Sequence, residues 1–285
     1  MRLDIDGRNC ELESGRSILD AVKKEGLDSI MLSDRPLAAQ IGGEVFNLRF
    51  TPKKDTQIHL LRYGEDMGRR VYERTLQFLF ILAMRKEFPR ARVCVRYSLG
   101  PGLFITVDGM EEPFNEEAAL KVETEMRRLV RLKLPLERRR ISIKEALSFY
   151  EQDGQADKAK LLKWRRFSYF DVYQIDGYMD YFYGEMAPDT SYADVFRVKY
   201  VHDGAVVLLM PRSDAPDVPS DYVDLPKLHA VFHQSDEWGK LMECATVNDL
   251  NTHIQNGTIR ELVRINEALH DRGYADIADK IVQKG

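Results

Sequence analysis

The stretch GRRVYERTLQFLFILAMRKEFP, Gly68 to Pro89, decides the fold. Val71, Leu76, Phe78, Leu79, Phe80, Ile81, Leu82, Ala83 and Met84 leave little of its middle turns polar, which predicts a helix buried on most sides. Pro89 ends it, because proline has no N–H to donate and its ring blocks a continuing turn. A helix apolar nearly all round requires other layers packed against it.

Those layers are legible on both sides. Upstream, Arg2 to Ile5 and Asn9 to Leu12 flank the turn pair Asp6-Gly7, and Ser17 is placed to cap a helix from Ile18 to about Glu25. Leu37 to Ile41 and Val45 to Phe50, joined by Gly42-Gly43-Glu44, read as a hairpin, and Thr56 to Leu61 alternates polar and apolar as a half-buried strand does. Strands around a single helix within residues 1–62 predict a β-grasp, ubiquitin-like module. Downstream, Arg92 to Tyr97 and Leu103 to Val107 read as strands around Gly100-Pro101-Gly102. Two helices follow near Glu116 to Leu134 and Ser142 to Tyr150, the second opened by the Ser142/Glu145 capping pair. Val172 to Ile175, Tyr178 to Tyr183, Ala193 to Tyr200 and Ala205 to Met210 supply further strands, so residues 63–213 read as an α+β layer domain. Arg212 to Pro226 carries three prolines and four aspartates, the composition of a linker or exposed loop. After it the chain reads as helical, with starts at Thr246/Asp249 and Thr258/Glu261 and helix ends expected at Gly257 and Gly273.

Composition narrows the function classes. The 285 residues are 44% hydrophobic and 31% charged, enough apolar content for a buried core and too much for a disordered chain. No apolar run approaches the eighteen residues of a membrane span, and MRLDIDG is no signal peptide, so a cytoplasmic protein without membrane contact is expected. Cys10, Cys94 and Cys244 are odd in number and far apart, which excludes a disulfide framework or a CxxC motif and leaves them as expected small core residues.

The net charge of −4 conceals a division. Residues 214–285 hold 7 basic and 13 acidic side chains, whereas residues 121–140 hold 8 basic and 3 acidic. Arg127, Arg128, Arg131, Arg138, Arg139 and Arg140 are the arginines of that basic stretch. It fits first the solvated face of a helix, with a phosphate or RNA contact as the alternative.

Catalytic signatures are missing from the sequence. No GxxxxGK[ST] loop is present to cradle phosphates, and there is no GxGxxG, GxSxG or HExxH. Among six histidines only His229 and His233 share the i, i+4 spacing of a helix face, and no third ligand stands at a metal-site spacing, so no metal is expected. Twelve aromatics between Trp164 and Tyr200 fit core packing, with a base- or nucleoside-accepting cleft as the alternative.

The order of parts, with Phe88-Pro89 closing the buried helix, a Gly-Pro-Gly-Leu-Phe turn and the run Asp180-Tyr-Phe-Tyr-Gly-Glu-Met-Ala-Pro188, resembles the amino-terminal half of threonyl-tRNA synthetases: a TGS domain followed by the second additional, editing domain. The likeness spans roughly residues 1–212. In those enzymes the helix carries His-x-x-x-His and the later strand Cys-x-x-x-His around a hydrolytic site. Here the resemblance carries those four positions onto Arg74, Phe78, Phe182 and Met186. Phe and Met can neither hold zinc nor move a proton, and arginine stays cationic, so editing by these residues is not expected.

The chain also resembles uridine-kinase-like bacterial nucleoside kinases, which carry TGS and synthetase-like regions ahead of a P-loop domain. Glu237-Trp-Gly239, Val247 to Asn251, Gly257 to Glu261 and Ala275 to Gly285 look like that family's helical bridge. The resemblance implies three parts: a TGS module over 1–62, a synthetase-like α+β domain over 63–213, and a linker and bridge over 214–285. A kinase domain, with its ATP and Mg, would follow Gly285 and be the chain's partner; the chain itself would hold no cofactor and serve as an accessory or regulatory region. The alternative is an RNA-binding or degenerate aminoacyl-tRNA editing module. A small nucleotide or nucleoside ligand would meet Arg74, Phe78, Asp180, Phe182 and Met186, unless packing side chains fill that cleft.

Overall fold

The computed structural model describes residues 1–202 and 204–284. The kinase strand expected after Gly285 lies outside them. Strands β1 (Arg2–Ile5) and β2 (Arg8–Glu11), helix α1 (Ile18–Lys24), and strands β3 (Ala38–Ile41), β4 (Glu44–Phe46) and β5 (Thr56–Leu61) build a sheet of order β2-β1-β5-β3-β4. Strands β1 and β5 run parallel and the other neighbours antiparallel, which is the β-grasp arrangement. Its turns follow from the sequence: Asp6 and Gly7, like Gly42 and Gly43, take the positive φ that tight hairpins demand. Ser17 caps α1 reciprocally with Asp20. Helix α1 buries Ile18, Leu19, Ala21 and Val22 against Leu3, Ile5, Ile58 and Leu60, each fully buried aliphatic side chain being worth roughly 1.5–3 kcal/mol.

Helix α2 (Asp66–Glu87) is the buried helix, with Val71, Tyr72, Leu76, Phe78, Leu79, Phe80, Ala83 and Met84 at 0% exposure. After it in the chain come β6 (Arg92–Leu99), β7 (Gly102–Asp108), α3 (Glu116–Leu132), β8 (Glu137–Ser142), α4 (Ile143–Gln152), α5 (Ala156–Leu162), β9 (Tyr169–Ile175), β10 (Tyr178–Asp180), β11 (Arg197–His202) and β12 (Ala205–Leu209). An antiparallel sheet of order β11-β12-β7-β6 and a three-stranded sheet β10-β9-β8 complete the α+β layers. Hairpin β13 (Pro211–Arg212) and β14 (Ala215–Pro219) follows, then α6 (Pro226–Leu241), α7 (Val247–Asn256) and α8 (Ile259–Lys284). No helix among the described residues is long and apolar enough to cross a membrane.

Two compact units result: Met1–Arg139 with Asp171–Leu225, and Arg140–Phe170 with the chain from Pro226. In the second unit Tyr150, Ala146, Ala159 and Leu162 are buried, the Trp164 indole donates to Asn248 Oδ1 at 2.9 Å, and α6, α7 and α8 bury no residue.

Several expectations are corrected. Only Cys10 is a core cysteine; Cys94 is exposed on β6 and Cys244 half-buried. Strand β10 stops at Asp180, because the chain turns at Gly184 with φ +112 and bonds sideways to α2 in place of a ladder. Tyr181 and Tyr183 therefore do not alternate about Phe182 as strand neighbours would; their rings meet edge-to-face at 5.7 Å. Pro211–Pro219, read partly as a linker, forms the β13-β14 hairpin, with proline at both ends where no ladder N–H is required. Gly273 lies inside α8, where neighbouring turns carry the helix through it. Strand β8 and helix α5 went unread. β8 exposes Glu137, Arg138, Arg139 and Arg140 and buries only Ile141, too little to register as alternation.

Candidate functional site

Of the four positions that the resemblance marks, Phe78, Phe182 and Met186 join the core around α2, and Arg74 reaches the backbone of the loop from Tyr181 to Pro188. Arg74 and Phe78 lie one turn apart on the helix, so they share a face. The Phe78 ring meets Phe182 at 5.3 Å and Tyr178 at 5.9 Å. The Arg74 guanidinium lies beside Gly184 and donates from Nε to the Glu185 carbonyl at 2.9 Å. Met186 and Phe78 have no exposed surface, whereas Phe182 is half-buried. Asp180 is also buried, and its carboxylate accepts from the Tyr181 N–H at 2.8 Å and the Tyr178 hydroxyl at 3.4 Å.

Residues that sequence reasoning missed hold the loop in place. Thr75 Oγ1 accepts from the Ala187 N–H at 2.9 Å and donates to the Val71 carbonyl at 2.8 Å. The Tyr173 hydroxyl donates to Glu185 Oε2 at 2.9 Å and accepts from the Met186 N–H at 3.2 Å. Arg138 reaches both Glu185 and Asp171. From the β-grasp side, Asn47 donates to the Met186 carbonyl at 2.8 Å and Arg49 Nε to the Pro188 carbonyl at 2.9 Å. Thr75 had a signal, since a lone hydroxyl on an otherwise apolar helix face must find a buried partner. Asn47 and Arg49 had none, because their acceptors lie 139 residues away.

Electrostatics fix the protonation of this cluster. Burial, then the neighbouring Glu185, pushes the Tyr173 phenol far up, so it remains a donor. Burial pulls the Arg74 guanidinium below its ordinary value, against the opposing effect of Tyr173, Glu73 and Glu185. For Arg138 burial acts downward too, but Glu185 and Asp171 more than offset it and the value rises. Such a site can hold backbone and carboxylate firmly. Its carboxylates are engaged, Asp180 by the Tyr181 N–H and Glu185 by Tyr173 and Arg138, and among the described residues no three His, Cys, Asp or Glu side chains gather at metal-holding distance.

The arginines of the basic stretch do not form one continuous patch. Arg127 pairs with Glu123 at 2.7 Å and lies over the Phe196 ring at 4.7 Å, and Arg128 grips Glu125 through two bonds of 2.6 and 2.7 Å. Both belong to α3, as does the exposed Arg131. Arg138 and Arg139 are on β8, the latter donating to the neutral Gln174 Oε1 at 2.6 Å, and Arg140 stacks over Tyr169 at 4.1 Å. Among the described residues Arg131 and Arg139 make no ion pair. His229 and His233 stand on α6 with ring centroids 6.5 Å apart.

No protein-family model matches the chain. It is similar to threonine–tRNA ligases. A stretch of 194 residues is 25% identical to that of Clostridium kluyveri, covering 68% of this chain and 30% of the ligase. For Carboxydothermus hydrogenoformans the identity is 27% over 175 residues, 59% of this chain and 26% of the ligase. For Acetivibrio thermocellus it is 28% over 160 residues, 55% and 24%. The chain thus spans 24–30% of the length of these relatives, and the matched part is threonyl-tRNA-synthetase-like.

Proposed function

We propose that the chain is a synthetase-derived accessory module that binds RNA and does not hydrolyse aminoacyl ester bonds. One observation supports the second half of this reading: Phe78 and Met186 are wholly buried in one core, Phe182 packs against it with its ring 5.3 Å from that of Phe78, and the Arg74 guanidinium is bonded to the Glu185 carbonyl. Ester hydrolysis needs a group that activates water or a metal that does so. A guanidinium, two phenyl rings and a thioether offer neither. Similarity to threonine–tRNA ligases supports the first half, with Arg131 and Arg139 as the cations left for phosphate. The division at residues 62 and 213 belongs to this proposal, the first part being the TGS-type module.

The test is a tRNA titration at 50 and 200 mM salt alongside incubation with seryl-tRNA. Binding that weakens steeply with salt, with no deacylation above the spontaneous rate, is the expected result. Absence of binding at 50 mM salt, or deacylation by the purified chain, overturns it.

A second reading rests on the sequence likeness of residues 237–285 to the bridge of nucleoside kinases, which would make the chain the accessory region ahead of an ATP- and Mg-dependent domain. Reading the coding DNA beyond Gly285 tests it: a strand followed by GxxxxGK[ST] supports the kinase parent, and a stop codon removes it.

A further inference from the structure

A groove of about 690 Å³ opens between the turn after β4 and strand β8, with Glu185 in its lining. Its size is that of a small-molecule site. One wall is aromatic: the Phe46 and Phe50 rings lie 4.5 Å apart at 37°, Phe46 half-buried and Phe50 38% exposed. The part of this pair that stays open to water offers a face on which a flat ring can stack. The opposite wall is β8, where the charges differ in availability. Arg138 is held by Asp171 and Glu185, and Arg49 by Asp189 and the Pro188 carbonyl. Arg139 has only the neutral Gln174 amide, so its guanidinium keeps donors and a full charge for an incoming anion. Glu44 and Glu137 on the rim are acceptors for hydroxyl or amine donors.

We propose that this groove binds a nucleoside 5′-phosphate unit, its base against Phe46 and Phe50, its phosphate on Arg139 and its sugar hydroxyls or exocyclic amine on the rim carboxylates. A flat ring, hydrogen-bond donors and an anion in one small molecule are what the two walls together demand. The unit comes either as a free nucleotide or as the end of an RNA strand; the inference deepens the RNA reading and rests on it for the second source only.

The experiment is calorimetric titration of the full chain with adenosine 5′-monophosphate, a 5′-phosphorylated tetra-adenylate, unmodified tRNA and inorganic phosphate, repeated for Phe50→Ala and Arg139→Gln. Both side chains are on the surface, and glutamine at 139 keeps a donor for Gln174; thermal melts of the variants verify that they fold. The expected result is that the monophosphate binds more tightly than phosphate and that each variant loses at least about fivefold, the lower end of what one stacked base or one charged contact contributes. Tighter binding of the tetranucleotide than of the monophosphate assigns the source to RNA. No binding of either nucleotide at millimolar concentration, equal binding of phosphate and monophosphate, or affinities that both variants leave unchanged each overturn the groove. tRNA that binds wild type and variants alike, while neither nucleotide binds in a variant-sensitive way, overturns the groove and leaves the RNA module standing. Variant-sensitive binding of the monophosphate without tRNA binding does the reverse.

Discussion

His59 lies between two carboxylates, with Nδ1 at 2.9 Å from Asp6 Oδ1 and Nε2 at 2.7 Å from Glu65 Oε2. The hydrogen bond to Glu65 raises its pKa above the usual imidazole value; burial pulls it down by less, and the bond to Asp6 adds to the rise. Asp6 goes the other way: burial pushes it up, but the Leu60 N–H, Arg62 and His59 prevail and hold it low. A raised imidazole means the folded state binds a proton more tightly than the unfolded state. The contact therefore stabilises fully below pH 6.5 and is lost as pH rises through the folded-state value. His59→Gln should cost under about 1 kcal/mol at pH 5.5, because the ring is half exposed, and nothing at pH 9. Urea unfolding at the two pH values checks this, and a deficit that grows with pH refutes it. At Gly68 sterics decide: an added Cβ would fall 1.9 Å from the Arg62 carbonyl oxygen, a backbone atom that cannot swing aside. Gly68→Ala should destabilise by about 2–3 kcal/mol by forcing the start of α2 off the end of β5, as overpacking does. A urea midpoint unchanged from wild type would show the helix start to be free to move.

At the scale of elements, α2 was legible because its apolar residues fill nearly the whole circumference, and the two β-grasp turns because Asp6-Gly7 and Gly42-Gly43 admit few conformations. The loop from Tyr181 to Pro188 was not. Its aromatic, alternating look is that of a strand, yet it is fixed by bonds to Arg74, Thr75 and Tyr173, whose partners no local pattern names. The same limit applies to the candidate site: the resemblance brought Arg74, Phe78, Phe182 and Met186 together, while the hydrogen bonds that hold the loop against them became visible only in three dimensions. Thr75 connects the two elements, being 1% exposed with both hydroxyl roles used. Thr75→Val keeps the shape and removes the acceptor for the buried Ala187 N–H, which should cost about 1–3 kcal/mol. Thr75→Ser should recover most of it. Loss with valine but no recovery with serine would place the effect in packing and not in the hydrogen bond.

Across the first unit as a whole, the β-grasp is tied to the α+β layers by polar contacts as well as by Leu32, Leu37, Ala38 and Leu61, which join the apolar core around α2. Arg35 is 8% exposed and grips Asp194 through two bonds of 2.9 and 3.0 Å, while its remaining donors meet the carbonyls of Ser29, Ser191 and Tyr192. Asn47 and Arg49 add bonds to the backbone from Met186 to Pro188, and Ser33 donates from its N–H to Asp217 Oδ1 at 3.0 Å. Two separate apolar cores joined in this way should melt in one transition, because opening either one exposes the charges of the joint. Asp194→Ala tests the coupling most directly. It leaves the Arg35 guanidinium buried with carbonyl acceptors and no counter-charge, the situation in which breaking a pair costs more than the pair contributes. The expected loss is about 2–4 kcal/mol, the lower part of the range for buried pairs, since the Asp194 side chain is 33% exposed. Calorimetry should then resolve two transitions where the wild type gives one, the β-grasp melting at a temperature of its own. A single transition in the variant at the wild-type temperature would mean that apolar contact alone joins the two cores, and that the arginine serves only to satisfy the carbonyls around it.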